Sequence, residues 1–277
     1  MIKDIVVNLA VGTERDPARD YALTIGEAFD AHVVGMALAY EYPLPDFVLG
    51  QLPAEVATQA MRGYRQQVET AVERFDAAAK RNRGSAEHAI EEVLEPDAPA
   101  RLASVARRFD LCVIMQSNPD GPDNGRLIEG LLFESGRPVV LVPYIQRDGL
   151  KLDRVVCCWD GSRPAARAIN DALPFLTKAD AVDLFIVLNE KTRNDQRENL
   201  GARMAKHLAR HDIKSEVKTS IAPDIDVASA ILSYAADSTA TMMVMGAYGH
   251  TRVRELILGG ATRGILGSMT VPVLMSH

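Results

Sequence analysis

Tryptophan occurs once and cysteine three times in the 277 residues, and no apolar run approaches the roughly 18 residues that a membrane-crossing helix needs. Cys112, Cys157 and Cys158 lie in strand-like apolar segments without the CxxC spacing of a zinc site or redox pair, so they read as reduced core residues. Met1-Ile2-Lys3-Asp4 leads straight into a strand-like stretch with no signal-peptide profile, and a cytoplasmic location is expected. Positive charge is scarce as well. The 31 Lys and Arg face 37 Asp and Glu, and the net −6 argues against a general nucleic-acid binder, whose phosphate contacts need a basic face. GxxxxGK[ST], GxGxxG, HExxH and GxSxG are all missing. With them go the usual sequence grounds for a kinase, dehydrogenase, metalloprotease or esterase.

What is present suits a globular protein: 47% hydrophobic and 25% charged residues, in a length that accommodates two ordinary domains. Charge is unevenly shared. Residues 1–148 hold 15 basic against 23 acidic side chains, net −8, and residues 149–277 hold 16 against 14, net +2, so the second half is the better home for an anion.

The chain reads as one pattern written twice. Ile5-Val6-Val7 has a counterpart in Val155-Val156-Cys157-Cys158, each followed by a helix-like stretch. Strands are predicted near residues 2–9, 32–38, 86–93, 111–115 and 138–142. The second series falls near 155–158, 182–187, 215–218, 241–245 and 271–275, with helices between. Alternating strands and helices imply parallel sheets, and runs such as Val139-Val140-Leu141-Val142 and Met242-Met243-Val244-Met245 suit strands buried on both faces. Ala165, Ala168, Ile169, Ala172, Leu173 and Leu176 recur at helical spacing, with Ser162 placed to cap that helix and Pro174 expected to kink its last turn. Pro43 to Pro53 reads as a loop before a long helix from Ala54 to Arg83. The polar Gln146-Arg147-Asp148-Gly149 marks the join, giving domains 1–147 and 151–277.

The most informative segment follows the strand that ends at Met245: Gly246-Ala247-Tyr248-Gly249, nine residues, then Gly259-Gly260. Ligands of open parallel sheets bind beyond the carboxyl ends of strands, where glycine lets backbone N–H groups approach phosphate oxygens. A helix starting near Gly260 would aim its amino end at the same place. The spacing equally fits a tight turn at Gly246 and Gly249, with Gly259, Gly260 and Gly264 allowing close helix packing.

GxxG, nine residues and a further glycine, ending in the strand Val271-Pro272-Val273-Leu274, resembles the universal stress protein family, as does the opening strand running into Asp160-Gly161-Ser162. The likeness covers the second half by motif and the first by strand order. It implies two tandem doubly wound α/β domains of the adenine nucleotide α-hydrolase type, each a five-stranded parallel sheet with helices on both faces. It further implies a stress-response module that binds ATP or AMP, with or without magnesium. By the resemblance, Asp160 with Gly161 meets the adenine, Val187 offers backbone to the base, Met245 and Gly246 line the ribose, and Gly249, Gly259 and Gly260 surround the phosphates. His250, Arg252 and Arg254 follow Gly249 and are either cations for those phosphates or a solvated loop face.

One departure concerns Gly260, which stands where the family carries Ser or Thr. The loss of one hydroxyl bond to a charged phosphate costs about 1.5–3 kcal/mol. Thr262 would lie about 200° round the helix and is not expected to replace it. The first half departs further. It has no aspartate matching Asp160 and no GxxG after Val113-Ile114-Met115, while Pro119, Asp120 and Asp123 suit no phosphate. That half is expected to be a structural pseudo-symmetric partner that does not bind ATP. Two copies in one chain form an intramolecular pseudo-dimer, with a further homodimer open. The competing reading is a non-nucleotide-binding interaction or structural protein with an empty site; turnover, if any, would be weak ATP hydrolysis. His207 and His211 are spaced to share a metal or to stand exposed, and Trp159 either packs beside a base or is a buried strand aromatic.

Overall fold

The computed structural model describes residues 1–41, 54–82, 84–188, 198–221, 226–247 and 260–277, and divides into two compact units, Met1–Arg137 and Pro138–His277. In the first unit, β1 (Asp4–Asn8), β2 (His32–Glu41), β3 (Ala86–Leu94) and β4 (Leu111–Met115) alternate with α1 (Pro17–Phe29), α2 (Ala54–Ala79) and α3 (Ala98–Ala106), and α4 (Gly125–Glu134) follows. The strands lie parallel in the order β3-β2-β1-β4. The second unit holds β5 (Val139–Val142), β6 (Val155–Cys158), β7 (Val182–Leu188), β8 (Ser215–Ile221), β9 (Met242–Gly246) and β10 (Val273–Ser276). Its helices are α5 (Arg163–Leu176), α6 (Glu198–Ala209), α7 (Val227–Asp237) and α8 (Gly260–Ser268).

The order in the second unit is β5-β10-β9-β6-β7-β8. All its pairs are parallel except β5 with β10, where Leu141 faces Val273 in an antiparallel ladder. The buried run Val139–Val142 is apolar on both faces and carries no mark of direction, so sequence gave no reason to expect the reversal. From β6 the chain builds outward through β7 to β8, then returns past β6 to lay down β9. The carboxyl ends of β6 and β9 therefore flank the point where the winding direction reverses, and β1 and β4 do the same in the first unit.

Local chemistry explains these elements. Ser162 caps α5, its side-chain oxygen accepting from the Ala165 amide at 3.3 Å, and Asp226 caps α7 through the Ala228 and Ser229 amides. The α5 face buries Ala165, Ala168, Ile169, Ala172 and Leu176, with Phe175 taking the fully buried place expected of Leu173. Helix α6 approaches the sheet at Gly201, where a Cβ would lie 2.5 Å from a Val217 methyl. The cysteines are buried and free; burial raises the Cys112 and Cys158 thiols to about 12 and Cys157 further still, leaving them unreactive.

A buried carboxylate secures the amino end of β7. Asp183, 1% exposed, accepts from Arg154 through both oxygens at 3.1 and 2.9 Å and from the Tyr234 hydroxyl at 2.9 Å. Tyr234 stacks on Phe185 at 4.1 Å, and desolvation together with the Asp183 bond raises its hydroxyl to about 12. Asp183→Ala leaves Arg154 and Tyr234 without their acceptor and is expected to destabilise the second unit by about 2–3 kcal/mol, measured by urea unfolding. Lys218→Ala, which breaks a solvent-exposed pair with Glu216, should leave the urea midpoint essentially unchanged.

In the first unit, Asp16 caps α1 from a buried position, accepting from the Arg19 amide at 3.0 Å and the Ala10 amide at 2.8 Å. Burial outweighs both bonds and raises its carboxyl above the ordinary 3.8. The folded chain then holds this proton more tightly than the unfolded chain. Its favourable contribution is full below the ordinary value and is lost as pH rises through the elevated one. Asp16→Asn keeps a capping oxygen and removes the titration. As pH rises above the ordinary carboxylate value, the variant should lose less unfolding free energy than the parent, measured by urea titration at each pH.

Candidate functional site

The carboxyl ends of β6, β7 and β9 bring together most of the described residues that sequence assigned to a ligand. Strand β9 ends at Gly246, and a Cβ there would lie 2.4 Å from the Ala165 nitrogen and 2.5 Å from the Pro164 carbonyl carbon. Only glycine permits this contact between β9 and the first turn of α5. Close packing, which sequence assigned to Gly259, Gly260 and Gly264 and not to this residue, is what Gly246 serves, and the same contact places the start of α5 beside the switch point.

Between β6 and α5 stand four residues, Trp159-Asp160-Gly161-Ser162. Gly161 takes a left-handed φ of +78°, which strains any other residue. Asp160 is exposed, and its Oδ1 accepts from the Ser162 amide at 2.8 Å, which fixes the carboxylate to its own turn. Among the described residues nothing else bonds this carboxylate, so Oδ2 remains an acceptor for a ligand donor. Val187 lies half-buried one residue before the end of β7, paired in register with Ser220 of β8, and Met245 is buried one residue before Gly246.

Helix α8 begins at Gly260, which is exposed, and a Cβ there would meet nothing within 4 Å. Among the described residues nothing in the packing demands this glycine. Gly264 is demanded by packing: a Cβ there would lie 2.5 Å from Ala228 of α7. Thr262 is 3% exposed, on the inner side of the helix, as its angular distance from Gly260 implies. Gly249, His250 and Gly259, with Arg252 and Arg254, lie outside the described residues, as does the Pro43 to Pro53 segment.

Trp159 is buried, and its indole N–H donates to the Leu200 carbonyl in the first turn of α6 at 3.3 Å. Its side chain is thus committed to α6, in keeping with the buried-aromatic alternative. Sequence did not single out Leu200, whose methyls lie 3.3 and 3.4 Å from the Cβ position of Gly161. The signal was a leucine two residues inside a weakly bounded helix, too common to notice. His207 and His211 meet edge to face, ring centres 4.9 Å apart, and among the described residues no group of three His, Cys, Asp or Glu could hold a metal ion.

The first unit reaches the same topological point and builds something else. Ile5 pairs with Leu111 as Val155 pairs with Met242, and the Leu9 amide donates to Met36 as Trp159 does to Phe185. By this register Ala10 stands where Asp160 stands, and Met115, 3% exposed, stands where Gly246 stands. The connection from β1 to α1 is eight residues, Leu9 to Asp16, twice that between β6 and α5. A full side chain thus occupies the place that the second unit keeps clear.

Residues 151–277 match a family model described as Universal stress protein family. A universal stress protein of Synechocystis sp. is 28% identical over 152 residues, 54% of this chain, and the match spans about half, 50%, of that relative's length. Two solved structures share the fold along 99% of this chain. One is a universal stress protein from Archaeoglobus fulgidus DSM 4304, 18% identical, 97% covered, TM-score 0.65. The other is a functionally unknown protein from Pseudomonas aeruginosa PAO1, 14% identical, 92% covered, TM-score 0.62. Residues 151–277 thus carry the likeness to the universal stress protein family.

Proposed function

We propose that the second unit is an adenine-nucleotide binding module, taking ATP or AMP at the carboxyl ends of β6, β7 and β9, and that the first unit is its structural partner. The observation that carries this reading is Asp160: an exposed carboxylate at the topological switch point, with one oxygen spent on its own turn and the other left to accept. That acceptor suits the exocyclic amine of adenine and repels the 6-oxo group of guanine or hypoxanthine. The amino end of α8 offers backbone amides and a positive dipole end to a phosphate, and among the described residues nothing lies within 4 Å of a Cβ placed at Gly260. The chemistry is binding, with response to nucleotide level as its use in a stress protein.

The alternative of an interaction protein with an empty site draws on the missing hydroxyl at Gly260, and calorimetry with millimolar ATP and AMP in magnesium decides between them. Heat that saturates is expected; its absence with both ligands overturns the nucleotide reading. Asp160→Asn keeps the turn, because the amide oxygen still accepts from Ser162, but now presents an NH₂ to the base. It should weaken ATP by about tenfold to a hundredfold and narrow the preference over inosine triphosphate. Gly260→Ser has room for its side chain and should tighten ATP about tenfold with little effect on AMP. Binding seen only in Gly260→Ser would favour the empty site.

A further inference from the structure

We infer that Trp159 is a positioning residue for the base end of this crevice, acting through Leu200; the inference rests on the nucleotide reading above. Trp159 is the single tryptophan of the chain and directly precedes Asp160. Its backbone N–H donates to the Phe185 carbonyl at 2.9 Å, tying β6 to β7 just below the turn. Its indole N–H reaches the Leu200 carbonyl at 3.3 Å, while the Leu200 methyls press on the left-handed Gly161 at 3.3 and 3.4 Å. Asp160 is therefore flanked on both sides by residues that grip the same turn of α6.

That turn is itself fixed. Gly201 brings α6 against the sheet, where its Cβ position lies 2.5 Å from Val217 and 2.9 Å from Ile186. The grip passes from β7 and β8 through residues 200 and 201 to the turn that holds the carboxylate. An indole buried to 9% exposure could serve packing alone, and phenylalanine would then do as well. The N–H aimed at a helix carbonyl is the feature that packing does not require, since a helix carbonyl already has an amide partner four residues on.

Trp159→Phe removes that donor and keeps an aromatic body. If the indole holds Asp160 in place, adenosine, AMP and ATP each weaken by the same factor, about three- to tenfold, because only the shared base end is disturbed. Hydrogen exchange without ligand should show faster exchange in the first turn of α6. Leu200→Ala, which releases the turn from the other side, should give the same pattern and guards against a misfolded first variant. A loss that grows with phosphate number, or none, overturns the inference, as does unchanged exchange in α6. If the parent protein binds neither AMP nor ATP, the failure belongs to the nucleotide reading, is visible before any variant is made, and takes this inference with it.

Discussion

The second unit is organised by a contact that has no side chain in it: the last residue of β9 lies against the first turn of α5, closer than any Cβ would allow. With that approach closed, the chain has only four residues in which to leave β6 and enter the helix. A left-handed residue makes so short a turn possible, and Gly161 supplies it. The two polar residues beside it take the remaining backbone donors, Asp160 from Ser162 and Ser162 from Ala165. The orientation of the carboxylate is thus a consequence of close packing at the end of the neighbouring strand. The first unit confirms the dependence by breaking it: with Met115 in place of the glycine, the connection doubles in length, the cap moves to a buried aspartate, and no exposed carboxylate stands at the matching position.

Strand β7 separates the chemistry of stability from the chemistry of binding. Asp183, second from its amino end, is enclosed by Arg154 and Tyr234, and Phe185 extends the same cluster by stacking on Tyr234. Val187 is four residues further on, about 13 Å along an extended chain at roughly 3.3 Å per residue. A buried ion pair near the crevice would compete for the donors that a ligand needs and would fix charge where an anion must sit. Placed at the amino end, it holds β7 to α7 without touching the site.

Much of this was legible in the residues. Continuous runs such as Met242 to Met245 declared strands covered on both faces, and Ser162 before an apolar stripe declared a helix start. The glycines after β9 carried two meanings at once, which the fold separates: Gly246 and Gly264 answer to steric contact, whereas Gly260 meets none among the described residues. The direction of β5 was invisible because Val139 to Val142 presents the same surface to a parallel or an antiparallel neighbour. Met115 was invisible for a related reason. It ends a buried apolar run just as Met245 nearly does, and nothing in such a run tells which residue must meet a helix terminus. The loop cations after Gly249 lie outside the described residues, so among the described residues the proposed phosphate side has the start of α8 to draw on.

That imbalance bears on what such a site discriminates. At Gly260 the helix offers amides and a dipole end, and a charge there gains typically 0.3–1 kcal/mol from the dipole near a surface, an effect confined to the first turn. Thr262 cannot add a hydroxyl, being buried on the far side of α8. Asp160, by contrast, offers a full charge held by its own turn, and a bond to a charged acceptor contributes about 1.5–3 kcal/mol. On the proposed reading, and counting the described residues alone, the base end carries the larger share of affinity, and the length of the phosphate chain the smaller. A protein so built would register adenylate as a class and respond to total adenine nucleotide more than to the ratio of ATP to AMP. Restoring a hydroxyl at residue 260 would shift it toward sensing that ratio.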